Sequence, residues 1–168
     1  MTSSRGGRRE RPSDEHWYTL ADTADPATVR AAYRGALIAQ RPRLRHVDVD
    51  LVSDGPWPDE VQGALRRGTR LLEQRRRARL VRWLPKASSI TLRVDPRDDG
   101  AFAVAVALAP YTVGGTGLDA RSRIVWSGND TGTSAAFRLV GTELAQVRSA
   151  IVSGGGDPGM LVPLQGSP

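Results

Sequence analysis

His46, Asp48 and Asp50 stand at i, i+2 and i+4 in the run Leu44-Arg45-His46-Val47-Asp48-Val49-Asp50-Leu51-Val52. Val47, Val49 and Leu51 alternate with them, the pattern of a strand buried on one face. Side chains two apart on a strand share a face, so an imidazole and two carboxylates point the same way. Such a set can hold a divalent metal and serve a metal-assisted enzyme. The plainer reading, and the preferred one, is the wet face of a half-exposed strand, which shows the same alternation.

A second group of residues carries charge rather than ligands. Arg66, Arg67, Arg70, Arg75, Arg76, Arg77, Arg79 and Arg82 crowd residues 60–82, against only Glu60 and Glu73. That segment carries +6, and residues 1–11, with Arg5, Arg8, Arg9 and Arg11, carry +3. Residues 12–59 carry −3 and residues 83–168 are neutral, so the net charge of +6 belongs to one arm and one internal segment. Lys86 is the one lysine, and every other cation is arginine. A GC-rich coding sequence gives that bias without any function. Arginine nonetheless meets carboxylate and phosphate in two-point contacts that lysine does not make. An arginine-rich helix docking an acidic protein partner is the first expectation. A nucleic-acid binder using the same helix and the N-terminal arm is the alternative. Trp57 and Trp83 flank the segment, but no aromatic side chain interleaves with the arginines to stack on bases.

Other chemistries find little footing. The chain has no cysteine, which excludes disulfides, thiolate metal sites and a cysteine nucleophile. Gly-x-Ser-x-Gly is absent, and His16 and His46 are the two histidines, so no Ser–His–Asp set is marked. Gly114-Gly115-Thr116-Gly117 can form a nest of N–H groups for phosphate. It lacks the Lys-Ser/Thr ending of a P-loop and reads instead as a connection between strands. No catalytic residue and no cofactor is expected. The stretch Tyr18 to Pro42, through Asp25-Pro26-Ala27-Thr28-Val29-Arg30-Ala31-Ala32-Tyr33-Arg34, resembles the second helix of J-domain co-chaperones. That family's His-Pro-Asp stands here as Arg41-Pro42-Arg43, so the stretch is read as helix-forming sequence without a family assignment.

These residues need elements to place them. With 168 residues, one domain is expected. Residues 1–13 read as a disordered basic tail, 14–154 as a single α+β domain and 155–168 as a turn-rich tail whose Met160, Leu161, Val162 and Leu164 strap onto the body. Asp25 and Pro26 open a helix that Pro42 stops. A strand over 44–52 follows, then a long helix from about Pro58 to Trp83 with Val61, Ala64, Leu65, Gly68, Leu71 and Leu72 inward. A four-stranded antiparallel meander is predicted next. Its strands begin at Ile90, lie over Phe102–Leu108, run from Arg121 to Trp126 and span Ala135 to Leu139. A last helix from Thr142 ends near Gly154. Helices and strands segregated in this way mark the α+β class. No apolar run reaches the roughly 18 residues of a membrane span, and Met1 to Arg11 holds no apolar stretch. No membrane association and a cytoplasmic location are expected.

Overall fold

Pro26–Gln40 forms the first helix, α1, and Asp25 caps it. The Asp25 carboxylate accepts from the N–H groups of Ala27 at 2.8 Å and Thr28 at 3.0 Å, which no helical carbonyl can reach. The hydroxyl and N–H of Thr28 hold that carboxyl below its ordinary range. The computed structural model describes residues 15–80, 90–129 and 134–164, with backbone alone for 78–80. The expected N-terminal tail therefore lies outside the described residues.

Strand β1 (His16–Leu20) precedes α1, and β2 (Leu44–Asp50) follows it after one tight turn. Next come α2 (Gln62–Leu80), β3 (Thr91–Val94) and α3 (Asp99–Leu108). The chain continues through β4 (Gly114–Asp119), β5 (Ile124–Asn129), β6 (Ser134–Leu139), α4 (Gly141–Ser153) and β7 (Leu161–Pro163). The seven strands form one sheet in the order β3-β2-β4-β5-β6-β1-β7, each antiparallel to its neighbours. The protein is thus α+β, as expected.

The predicted four-strand meander needs correction. Residues 99–108 are helix, not strand, and of the strands predicted for the meander the first, β3, pairs with β2, while β4, β5 and β6 pair in succession. Phe102, Val104, Val106 and Leu108 do alternate, but alanines fill the gaps and leave an unbroken apolar run. Periodicity cannot assign such a run, and alanine favours the helix. Burial falls on Ala101, Phe102, Val104, Ala105 and Leu108, a helical spacing, and Asp98 caps the helix by accepting from Ala101 N–H at 3.0 Å.

Gly114-Gly115-Thr116-Gly117 is also not a connection but most of β4, its N–H groups turned to ladder pairing rather than to a nest. The glycines answer to close packing. A Cβ on Gly115 would lie 2.5 Å from Trp126 Cη2, and one on Gly117 would lie 2.9 Å from Leu44 Cδ2. Trp17, Tyr18 and Leu20 belong to a paired strand between β6 and β7. The C-terminal strap is that last strand, with Leu161 fully buried.

Register divides the sheet into two faces. Val47, Val49, Leu92, Val94, Trp126, Phe137 and Leu139 share the buried one. Tyr33 of α1 stands edge-on to Trp126, with ring centres 6.0 Å apart, and to Phe137 at 5.5 Å. Burial pushes the Tyr33 hydroxyl well above its ordinary pKa. The Gln40 side chain, fully buried at the end of α1, donates to the carbonyls of Val125 at 2.8 Å and Arg138 at 3.0 Å, tying helix to sheet. The helices pack on this face, α1 against α4 and α2 against α3. His46, Asp48, Asp50, Thr91, Arg93, Thr116 and Ser127 share the opposite face, on which no helix lies among the described residues.

Candidate functional site

The arginine helix is held by its inner side. Val61 and Ala64 are buried, and a Cβ on Gly68 would meet Leu51 Cδ2 at 3.2 Å and side chains of Val104 and Leu108 at 3.4 Å. That close approach to α3 fixes which side of α2 faces out. At about 100° per residue, Arg66, Arg70, Glu73 and Arg77 fall on one outward stripe, opposite Gly68. All four are exposed, as are Arg67 and Arg76 on the flanks. No acidic side chain lies within salt-bridge distance of Arg66, Arg67, Arg70 or Arg77 among the described residues. Arg75 is half-buried on the inward side and stands apart from the stripe. The Arg79 side chain and Arg82 lie outside the described residues.

His46, Asp48 and Asp50 do share a face of β2, and each carboxylate has a partner from β3. Asp48 opposes Arg93 in register and accepts from its Nε at 2.8 Å and Nη2 at 2.7 Å. These contacts hold the Arg93 guanidinium above its ordinary pKa. Asp50 accepts from Thr91 Oγ1 at 2.5 Å, and His46 Nε2 lies 3.9 Å from Asp48 Oδ2. Among the described residues no group of three His, Asp or Glu side chains is placed to hold a metal. These cross-strand contacts favour the plainer reading of β2, a polar strand face. Arg93 already neutralises Asp48, and the set is a cross-strand polar ladder of the kind that steadies an exposed sheet face.

No protein-family model, curated protein or solved structure matches the chain. Among the described residues no helix is long and apolar enough to cross a membrane.

The fold also gathers arginines that no single run of sequence announces. A cleft of about 650 Å³ opens where β2 begins and β4 turns into β5, with Arg43, Arg45, Arg97, Arg121 and Arg123 in its lining beside Glu15, Asp95 and Asp119. Asp119 organises the β4–β5 turn. Its Oδ1 accepts from the N–H groups of Arg121 at 2.8 Å and Arg123 at 2.9 Å, and its Oδ2 accepts from Arg123 Nε at 2.8 Å. Burial opposes ionisation of this carboxyl, yet those N–H groups and the Arg123 guanidinium together hold it below its ordinary pKa. A carboxyl lowered by folding stabilises the fold above the usual value of about 3.9, and that contribution is lost as pH falls through the lower folded value. Asp119→Asn is expected to cost about 1–3 kcal/mol at neutral pH. It is also expected to flatten the acid limb of a stability–pH curve measured by urea unfolding. An unchanged acid limb would show that Asp119 is not the group that titrates there.

Proposed function

We propose that this protein is a non-catalytic binding domain that docks an acidic protein surface through the outward stripe of α2. The observation that carries the reading is the stripe itself: Arg66, Arg70 and Arg77 exposed on one line, on a helix whose other side is packed into the domain. Arginines without acidic partners among the described residues keep their two-point donor geometry for another molecule. Glu73 interrupts the line between Arg70 and Arg77 and favours a protein over nucleic acid. A phosphate backbone is uniformly negative and meets repulsion at Glu73, whereas a protein surface can set a cation opposite it. Arg67 and Arg76 widen the stripe into a face.

Fluorescence anisotropy with labelled poly-L-glutamate and with a labelled DNA duplex, each at low and moderate salt, tests this. Wild-type protein is expected to bind the acidic polypeptide in a salt-sensitive way. The variant Arg66→Glu/Arg70→Glu/Arg77→Glu is expected to bind at least roughly tenfold more weakly, since three exposed ion pairs together contribute about 0.6–3 kcal/mol and reversing each charge adds repulsion. Equal affinity in the variant would contradict the docking face. Tighter binding of wild type to the duplex than to the polypeptide at both salts would replace this reading with the nucleic-acid one.

A further inference from the structure

We propose that the cleft at the start of β2 is a second site, separate from α2, which binds a phosphate-bearing small molecule through Arg45, Arg97 and Arg121. Three parts of the fold supply these residues: Arg45 from the start of β2, Arg97 from the β3–α3 connection and Arg121 from the β4–β5 turn.

The acidic side chains of the cleft are already engaged. Glu15 meets Arg43 at 2.8 Å, Arg138 at 2.9 Å and Arg123 at 3.5 Å. Asp119 is taken up by Arg123 and by the two N–H groups of its own turn. Asp95 accepts from the Arg97 N–H at 2.9 Å. The arginines therefore fall into two groups. Arg43 and Arg123 are pinned in the wall by carboxylates. Arg45 reaches only Ser122 Oγ, at 3.4 Å, and the Arg97 and Arg121 guanidiniums meet no acidic side chain among the described residues.

Five arginines against three acids leave the lining with an excess of two positive charges, all of it on the unpinned group. Guanidiniums supplied by three parts of the fold suit a ligand with several charged oxygens around one centre, which describes phosphate better than a lone carboxylate. The cleft volume falls within the few hundred to 1,000 Å³ of small-molecule sites, and Pro42, Leu44 and Ala120 give it an apolar portion for the rest of such a ligand. The pinned arginines keep the wall in shape, while Arg45, Arg97 and Arg121 are exposed and free to fold over the anion.

Isothermal titration of the full chain with pyrophosphate and with adenosine monophosphate at low salt tests the site. Saturable binding is expected for wild type. It is expected to weaken by at least roughly tenfold in Arg45→Ala/Arg97→Ala/Arg121→Ala and to persist in Arg66→Ala/Arg70→Ala/Arg77→Ala. Circular dichroism checks that both variants keep the wild-type fold, and the single changes Arg97→Ala and Arg121→Ala repeat the test should the triple variant not fold. The proposal is overturned if wild type shows no saturable binding of either probe, if folded cleft variants bind as wild type does, or if the α2 variant loses binding equally. The poly-L-glutamate measurement stands apart from this one, so failure of one site leaves the other to its own result.

Discussion

Trp126→Ala is expected to lower the unfolding free energy by about 3–5 kcal/mol, a large part of the roughly 5–15 kcal/mol that holds a domain of this size together. Trp126 is fully buried at the centre of the sheet, beside Tyr33 and above Gly115 and Gly117 of β4. Those glycines carry no side chain to close the space the indole would leave. The cavity would therefore persist, which puts the cost near the top of the range for large-to-small changes. Urea unfolding followed by circular dichroism measures it. A loss under about 1 kcal/mol would show that the indole does not fill the space assigned to it.

Arg43→Ala is expected to cost about 2–4 kcal/mol at neutral pH, somewhat under the range for breaking a fully buried ion pair because the Arg43 side chain keeps some exposure. Arg43 joins α1 and β2 to α4 and to the start of β1. Its Nη1 donates to Glu15 Oε1 at 2.8 Å, its Nη2 donates to Glu143 Oε2 at 2.8 Å, and it also donates to the Arg138 carbonyl. Glu143 closes the N-terminus of α4 by accepting from Val140 N–H at 3.1 Å. Burial raises the Glu143 carboxyl above its ordinary range, against the lowering effect of the Val140 N–H and of Arg43. Without Arg43 the carboxyl rises further. An acid raised by folding is favoured there in its protonated form, so its burden on stability is full above the folded pKa and is relieved as pH falls toward the ordinary value of about 4.3. The penalty of Arg43→Ala is accordingly expected to shrink in acid. Urea unfolding at neutral pH and near that value measures it, and a penalty that stays constant or grows would place the interaction elsewhere.

The elements legible in the sequence were those with local signals. Asp25-Pro26 marks the start of α1, the Val47–Val49 alternation marks β2, and Gly154 ends α4 as expected, its N–H donating to the Ala150 carbonyl at 2.9 Å. The outward stripe of α2 is legible for the same reason, since helical spacing is local, and that spacing also turns Arg75 inward. What depends on distant neighbours was hidden. The alanines of α3 make its apolar run compatible with either structure until packing decides. The glycines of β4 read as a loop because Trp126, whose ring leaves no room for a Cβ, lies in the next strand. Arg93 neutralises Asp48 only because β3 pairs with β2, so the metal reading of β2 could not be weighed from its own residues. The aromatic and β-branched run Trp17-Tyr18-Thr19 was the available signal for β1. Arg45 lies in β2 and Arg97 and Arg121 in two separate connections, and only the fold brings them around one cleft.

The most direct test of the docking face is an amide NMR titration of isotope-labelled protein with poly-L-glutamate. The shifts are expected to concentrate on residues 62–77 of α2, led by Arg66, Arg70 and Arg77, and to fade as salt is raised. Shifts concentrated instead around Arg45, Arg97 and Arg121, or spread evenly over every exposed arginine, would contradict the assignment of α2 as the surface that meets an acidic partner.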